Sequence, residues 1–112
     1  MSFWVTLEDE NGETVQVAEQ ARGGTYAVYL EERTSFPAEL NVTYNYSIIF
    51  SVRALHNMIA GNTIGLLQEV FDKNGVKRAD DYWAPTPGNV GYMASILLAW
   101  AKQYPDAKWR VN

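Results

Sequence analysis

The stretch NVGYMASILLAWAKQY, residues 89–104, predicts the helix around which the rest of the chain is built. At 3.6 residues per turn its apolar side chains lie on almost every side of the axis. A helix that is apolar all round has to be covered on more than one side, so we expect it at the centre of the core. Asn89 is expected to accept amide hydrogen bonds at its start, and Pro105 stops it.

Helical spacing of apolar residues also precedes this central segment. Residues 51–60 predict a short helix that stops at Gly61. Residues 63–74 predict a second helix with one buried stripe, and Asn62 or Thr63 is placed to cap it. We therefore expect the central helix to lie between this second helix and a sheet.

Glycines and prolines predict how the helices connect. Residues 76–88 contain Pro85 and Pro87 and are expected to form a rigid loop, because proline disrupts a helix interior. Gly65 and Gly91 lie inside helical segments, where glycine lowers stability relative to alanine. Each is therefore expected to allow another part of the backbone to approach closely.

Alternation of apolar and polar residues predicts strands outside the helical part of the chain. The sequence DENG at residues 9–12 predicts a tight turn that joins the first two strands into a hairpin, and residues 32–38 are expected to be a connection. The predicted strands are residues 3–7, 14–18, 25–31, 39–46 and 107–111.

These segments together predict one α+β domain over residues 1–112. We expect an antiparallel N-terminal sheet of three or four strands, with a possible C-terminal strand, packed on two to three helices. The length of 112 residues is enough to bury a single hydrophobic core.

Charge is distributed unevenly along the chain. Residues 1–40 contain eight acidic and two basic side chains, a balance of −6, whereas residues 41–112 contain five acidic and seven basic ones, a balance of +2. Direct binding to a nucleic-acid backbone is disfavoured, because neutralising phosphates requires clustered Lys and Arg. The chain contains no cysteine, which excludes disulfides and thiolate metal sites.

No membrane partner is expected either. The most apolar segment, residues 90–101, is about half as long as the roughly 20 residues that cross a bilayer as a helix. The N-terminal residues lack the basic and apolar regions of a secretion signal. We therefore expect a cytoplasmic protein.

Catalytic and metal-binding patterns are poorly represented. The one histidine, His56, has Arg53 three residues before it and no acidic residue within four positions, so we interpret it as a surface or half-buried side chain. The acidic residues at 8–13 and the pair Asp80-Asp81 do not have the spacing of a calcium loop. Glycines form no phosphate-binding motif. We therefore expect no cofactor and no enzymatic activity.

Aromatic residues are the strongest indication of a binding surface. The chain has four tryptophans and seven tyrosines, residue types that dominate binding hot spots. We expect Trp100 in the core, Trp83 as the tryptophan whose ring is exposed, and Trp4 and Trp109 half buried. Tyr44 and Tyr46 are expected on one face of a strand.

Two stretches resemble a known group of proteins. They are ELNVTYNYS at residues 39–47 and DYWAPTPGNVGYMASILLAWAKQYPDAKWRV at residues 81–111. Both are similar to segments of small uncharacterised proteins associated with bacteriophages and bacterial mobile elements. The sequence departs from that pattern at residues 48–60, where IIF and LHNM replace a more charged, aromatic region. The resemblance implies a genomic setting, in which a compact acidic protein often inhibits host immunity, and carries over no activity.

Two functional hypotheses result. The first is a phage-type binding protein that inhibits or modulates a host defence protein through an acidic strand face and a hot spot of Tyr44, Tyr46 and Trp83. The second is a protein that binds or sequesters a small nucleotide-like signal between the strand at 39–46 and the loop at 80–89. An enzyme using His56 or the acidic pair before Tyr82 is a distant third.

The candidate binding residues are shared by the two hypotheses. A homodimer is also compatible with the sequence, because an exposed aromatic strand invites symmetric pairing. The candidate residues are Tyr44, Asn45, Tyr46, Asp80, Asp81, Tyr82, Trp83 and Asn89.

Overall fold

The computed structural model describes residues 1–17 and 35–112, and it confirms the α+β class. The predicted strand at residues 25–31 lies outside the described residues. Five strands and two α-helices are found in the described parts. They are β1 (Ser2–Glu8), β2 (Gln16–Val17), β3 (Phe36–Pro37), β4 (Glu39–Thr43), α1 (Ile64–Asn74), α2 (Pro87–Gln103) and β5 (Lys108–Val111).

The main sheet has β1 at its centre, with β4 on one side and β5 on the other, and both neighbours are antiparallel to it. Val5 lies opposite Leu40 of β4 and Val111 of β5. The alternating apolar residues of β1 are buried on its inner face, as period-two patterning requires. The predicted first strand and the predicted closing strand are confirmed.

The predicted turn after β1 is also confirmed. The Asp9 carboxylate accepts hydrogen bonds from the backbone N–H groups of Asn11 at 2.9 Å and Glu13 at 3.0 Å. Gly12 has a φ of +78°, which a residue without a β-carbon adopts at no steric cost. The turn is therefore stabilised by its own side chains.

The second strand of the hairpin begins at Gln16, two residues later than the sequence predicts, and its predicted last residue lies outside the described residues. After a single bridge between Glu8 and Thr14, the chain leaves β1, and β2 pairs with β3. Residues 32–38 are therefore not only a connection, because Phe36–Pro37 is a strand. Phe36 is buried, and burial of this aromatic side chain explains why the segment is extended.

The strand predicted at residues 39–46 ends earlier, at Thr43. Its hydroxyl accepts a hydrogen bond from the N–H of Asn45 at 3.2 Å, and a 3-10 helix covers Tyr44–Ile48. A threonine side chain that bonds the following backbone favours a turn over a continued strand. The placement of Tyr44 and Tyr46 on one strand face was wrong, since residues two apart point in different directions in a 3-10 helix.

The helix predicted at residues 51–60 was also wrong. Short 3-10 helices occupy Val52–Leu55 and Ala60–Thr63, and the backbone between them pairs with β5. The N–H of Asn57 donates to the Trp109 carbonyl, and the N–H of Trp109 donates to the Met58 carbonyl. Pairing with a strand edge thus overrides the helical spacing of the apolar residues.

Helix α1 is confirmed, but no side chain caps it. Thr63 occupies the N-cap position, and its hydroxyl donates to the Ala60 carbonyl and accepts from the indole N–H of Trp109 at 3.0 Å. That indole is completely buried and not half buried as expected. The predicted cap is absent because the Thr63 hydroxyl instead accepts the hydrogen bond that the buried indole N–H of Trp109 needs.

Helix α2 begins at Pro87, two residues before the predicted start. The Thr86 hydroxyl accepts from the N–H of Asn89 at 3.1 Å and is the N-cap in place of Asn89. Proline suits the first helical position, because its missing N–H has no partner there in any helix. The part of α2 that contacts solvent is narrow, at residues 87, 92, 95, 96 and 99 and the last turn.

One buried cluster joins both faces of the central helix to the rest of the fold. It contains the inner face of the sheet, the stripe of α1 with Leu67 and Val70, and the α2 residues Met93 and Leu97. Trp100 belongs to it, as predicted. The expected central position of the 89–104 helix is confirmed, because α2 shares this buried cluster with both the sheet and α1.

The two helices are joined by a close backbone contact that only glycine permits. A β-carbon on Gly91 would overlap the carbonyl oxygen of Gly75, and one on Gly88 would overlap that of Lys77. The prediction for Gly91 is confirmed. The prediction for Gly65 was wrong, because a β-carbon there would meet nothing within 4 Å.

Replacing these glycines by alanine tests the contact directly. Gly91→Ala should lower the free energy of unfolding by about 3 kcal/mol or more, since neither backbone segment can move aside. Gly65→Ala is the matched control and should raise it by about 0.5 to 1 kcal/mol, because alanine is the better helix former. Urea denaturation of both variants measures the difference, and equal effects of the two would contradict the contact.

Candidate functional site

Most of the predicted site residues meet where the 3-10 helix after β4 contacts the loop before α2. Asn45 and Tyr46 reach that loop with their side chains, and Asn89 supports it from the first turn of α2. The structure therefore brings the two predicted segments together. The roles of the individual side chains differ from those expected.

Asn89 holds the loop and is not available to a ligand. Its side chain is 1% exposed, and its oxygen accepts from the N–H of Ala79 at 2.9 Å. Its amide nitrogen donates to the carbonyls of Asp81 at 3.1 Å and Ala84 at 2.9 Å. The prediction that Asn89 lines a pocket was wrong, because the side chain makes these hydrogen bonds to its own loop.

Tyr46 is an anchor and not part of an exposed hot spot. Its ring is completely buried, and its hydroxyl donates to the carbonyl of Tyr82. Burial raises the pKa of Tyr46 to about 12, with a lowering effect of Arg78 and smaller raising effects of Asp81 and Tyr82. Tyr46 therefore fixes the loop from below as a neutral donor.

The backbone of Trp83 is held at both of its polar groups. Its carbonyl accepts from the Asn45 side chain at 2.9 Å, and its N–H donates to the Asp81 carboxylate at 3.0 Å. Trp83 as a residue is nevertheless 40% exposed. The loop thus presents an exposed tryptophan on a backbone with little freedom.

Other rings accompany this tryptophan at the surface. Tyr82 lies 5.0 Å from it between ring centroids, and Tyr44 packs on Phe3 at 4.3 Å with an outer face in solvent. We call Tyr44, Tyr82, Trp83 and Tyr92 the aromatic surface. The guanidinium of Arg78 lies 4.9 Å above the Tyr92 ring, and Arg78 also acts electrostatically on the buried tyrosine below.

Sequence reasoning did not find Arg78 or Tyr92. Tyr92 was counted as one of the apolar residues of the central helix, whereas it lies on the narrow solvent-facing strip of α2. The cation–π contact joins residues fourteen positions apart, and no short motif encodes it. Asp80, in contrast, was predicted and is exposed at the edge of the loop.

Trp83 reaches solvent as predicted, and Trp4, at 47% exposed, is about half buried as expected. Trp4 lies on the outer face of the central strand, opposite Asn41, and its backbone pairs with Asn112. A single sheet leaves one face of its central strand open to solvent. Trp4 therefore belongs to a surface different from that of the loop.

The acidic strand face is partly neutralised. Glu8 forms an ion pair with Arg110 at 3.2 Å, and the Asp9 carboxylate is occupied by the turn. Glu19, Glu31 and Glu32 lie outside the described residues. Among the described acidic residues, Glu8 and Asp9 are thus engaged within the protein.

Groups for catalysis or metal binding are scattered. His56 is exposed, and its Nδ1 accepts a hydrogen bond from the N–H of Val111 at 3.0 Å. In residues 1–17 and 35–112, no three His, Cys, Asp or Glu side chains are close enough together to hold a metal ion. Within the same residues, no helix is long and apolar enough to cross a membrane.

Comparisons with known proteins add no further assignment. No family model matches the chain, and neither a curated protein nor a solved structure is similar to it at a significant level. The chemistry of the site therefore rests on its own residues.

Truncating the two asparagines should have very different effects. Asn89→Ala removes the acceptor of the Ala79 N–H and one of the two hydrogen bonds that each of the Asp81 and Ala84 carbonyls accepts. The loss of three hydrogen bonds should lower the free energy of unfolding by about 3 kcal/mol. Asn45→Ala removes one exposed hydrogen bond and should cost below about 1 kcal/mol. Thermal and urea unfolding measure both, and a mild effect of Asn89→Ala would contradict its clamping role.

The raised pKa of Tyr46 predicts a loss of stability at alkaline pH. Between pH 10 and 12 the unfolded chain gives up this proton before the folded chain does, so stability falls as the pH rises. The contribution is fully present below pH 10 and is on the order of 3 kcal/mol.

Tyr46→Phe isolates this contribution from that of the other tyrosines. It should cost about 1 kcal/mol at neutral pH through the lost hydrogen bond, and its stability should decline less steeply above pH 10. Urea denaturation across this pH range measures both curves. Parallel curves for the two proteins would rule out a raised pKa at this site.

Proposed function

We propose that this protein is a non-enzymatic binding protein that attaches to another protein through the aromatic surface. The resemblance of residues 39–47 and 81–111 to proteins of phages and mobile elements makes a host protein, in particular a defence protein, the proposed partner. Binding inhibits or modulates that partner in the cytoplasm of the host.

The composition of the aromatic surface supports this proposal. Trp, Tyr and Arg are the residue types most enriched at the energetic centres of protein interfaces. Trp83, Tyr82 and Arg78 come from one short loop, and Tyr44 and Tyr92 come from the elements on which it rests. An indole or phenol also loses little conformational freedom when it is buried by a partner.

The observation that carries the proposal is the fixed position of Trp83. Its N–H and carbonyl are both hydrogen-bonded within the protein, while its ring remains exposed. A side chain on a preorganised backbone has a smaller ordering cost to meet on association, so more of its contact energy appears as affinity.

A nucleotide-like ligand is the alternative, and the geometry weighs against it. Of the groups expected to recognise such a ligand, Asn89 and Tyr46 are buried and hydrogen-bonded to their own loop. A small-molecule site needs convergent polar groups in a concave pocket. Asn45 and Asp81 are exposed but bond the backbone of Trp83. The exposed rings of Tyr44 and Trp83 suit a protein surface better.

Binding to host lysate tests the proposal with matched variants. Trp83→Ala and Tyr44→Ala should each weaken retention of the partner by more than about tenfold, the effect of losing a hot-spot side chain. Trp4→Ala is the control, since it removes an equally exposed indole from the sheet face and should leave retention unchanged.

Two results would contradict the proposal. One is retention that depends on Trp4 and not on Trp83. The other is a folded wild-type bait that retains no host protein while nucleotides raise its melting temperature, which would support the small-ligand alternative.

A further inference from the structure

A second apolar area lies where the 3-10 helix after β4 meets α1. Ile49 and Leu66 contribute exposed aliphatic surface to a shallow groove of about 140 Å³. We call this groove, lined by Ile49, Leu66, Glu69, Val70, Lys73 and Asn74, the α1 groove. It shares no residue with the aromatic surface, so an inference about the α1 groove goes beyond the proposed function.

Ile48 precedes the groove residue Ile49 in the chain and is exposed to solvent. It is 81% exposed, far more than any other isoleucine or leucine among the described residues. Removing such a side chain from water favours association with an apolar partner. The protein therefore presents an exposed aliphatic side chain next in sequence to a groove that is lined by three aliphatic and three polar residues.

The charged residues of the groove are complementary to those of the same groove in a second copy of the chain. Glu69 and Lys73 are exposed, lie one helical turn apart on α1 and have opposite charge. An antiparallel copy of α1 reverses this order, so that Glu69 of each chain faces Lys73 of the other. Complementary charges of this kind fix the orientation of two partners.

We infer that the α1 groove binds Ile48 of a second copy of this chain, so that two chains form a symmetric dimer. A two-fold axis places Ile48 of each chain in the groove of the other and forms every contact twice. Because Ile48 is next in sequence to the groove residue Ile49, both contacts form in one interface and assembly closes at two chains.

This surface differs from the one that the sequence indicated for self-association. An exposed aromatic strand was expected to pair, but Tyr44 and Tyr46 are not on a strand. The dimer surface is instead aliphatic and charged. It leaves Trp83 and its neighbours to a different partner.

Sedimentation equilibrium from micromolar to near-millimolar concentration tests the dimer. The wild-type chain should shift from monomer to dimer as its concentration rises, and Ile48→Glu should remain monomeric. Glu69→Lys and Lys73→Glu should also remain monomeric when each is alone, because each places like charges opposite one another.

Combining the two charge variants should restore dimerisation. An equimolar mixture of Glu69→Lys and Lys73→Glu restores opposite charges at both contacts and should form a heterodimer, and the double variant should again form a homodimer. Glu13→Lys and Lys102→Glu are the matched controls, with the same charge changes at exposed positions outside the groove, and both should dimerise like the wild type.

The inference is overturned by any of three results. They are a monomeric wild type at every concentration, dimers that persist in both single charge variants, and a mixture of the two that stays monomeric. Circular dichroism of each variant shows that the fold is retained. Loss of dimers with retained host-protein binding would separate this surface from the aromatic surface.

Discussion

The close contact between the start of α2 and residues 75–77 is the constraint on which the site depends. Gly88 and Gly91 lack β-carbons, so the backbone that follows α1 can lie directly on the helix. This contact fixes the positions of both ends of the loop, at residues 75–77 and at the start of α2. A side chain at either glycine would separate the two helices, and the loop would lose its support.

On this base, buried polar groups determine the shape of the loop. Asn89 bonds three backbone groups of the loop, and Tyr46 reaches it from the other side. Buried polar atoms are costly unless paired, so these hydrogen bonds favour one loop conformation over others. The consequence is an outer surface of rings whose positions are set from inside the protein.

The strongly periodic segments were predictable. The alternation in β1, the single stripe of α1 and the all-apolar character of α2 each require one kind of burial, and the structure has them. The errors fall where a local pattern competed with a distant contact. Residues 51–60 carry helical spacing, but β5 offers their backbone a strand to pair with.

The candidate site was also predictable only in part. Its membership was largely predictable, because Trp83 and its neighbours combine aromatic and turn-forming residues near two prolines. The sequence could not show which of these residues are exposed. The side chains of Tyr46 and Asn89 can form hydrogen bonds to a ligand or to the loop, and their chemistry does not distinguish the two.

The sequence by itself determined the α+β class, the central helix and the approximate location of a surface rich in aromatic residues, because hydrophobic periodicity and turn chemistry act over a few neighbouring positions. The tertiary structure alone decided which tyrosine is buried, which threonine is a cap and where Arg78 lies. Those outcomes depend on pairs of groups that are distant in the chain, and their hydrogen bonds are chosen only when the core closes.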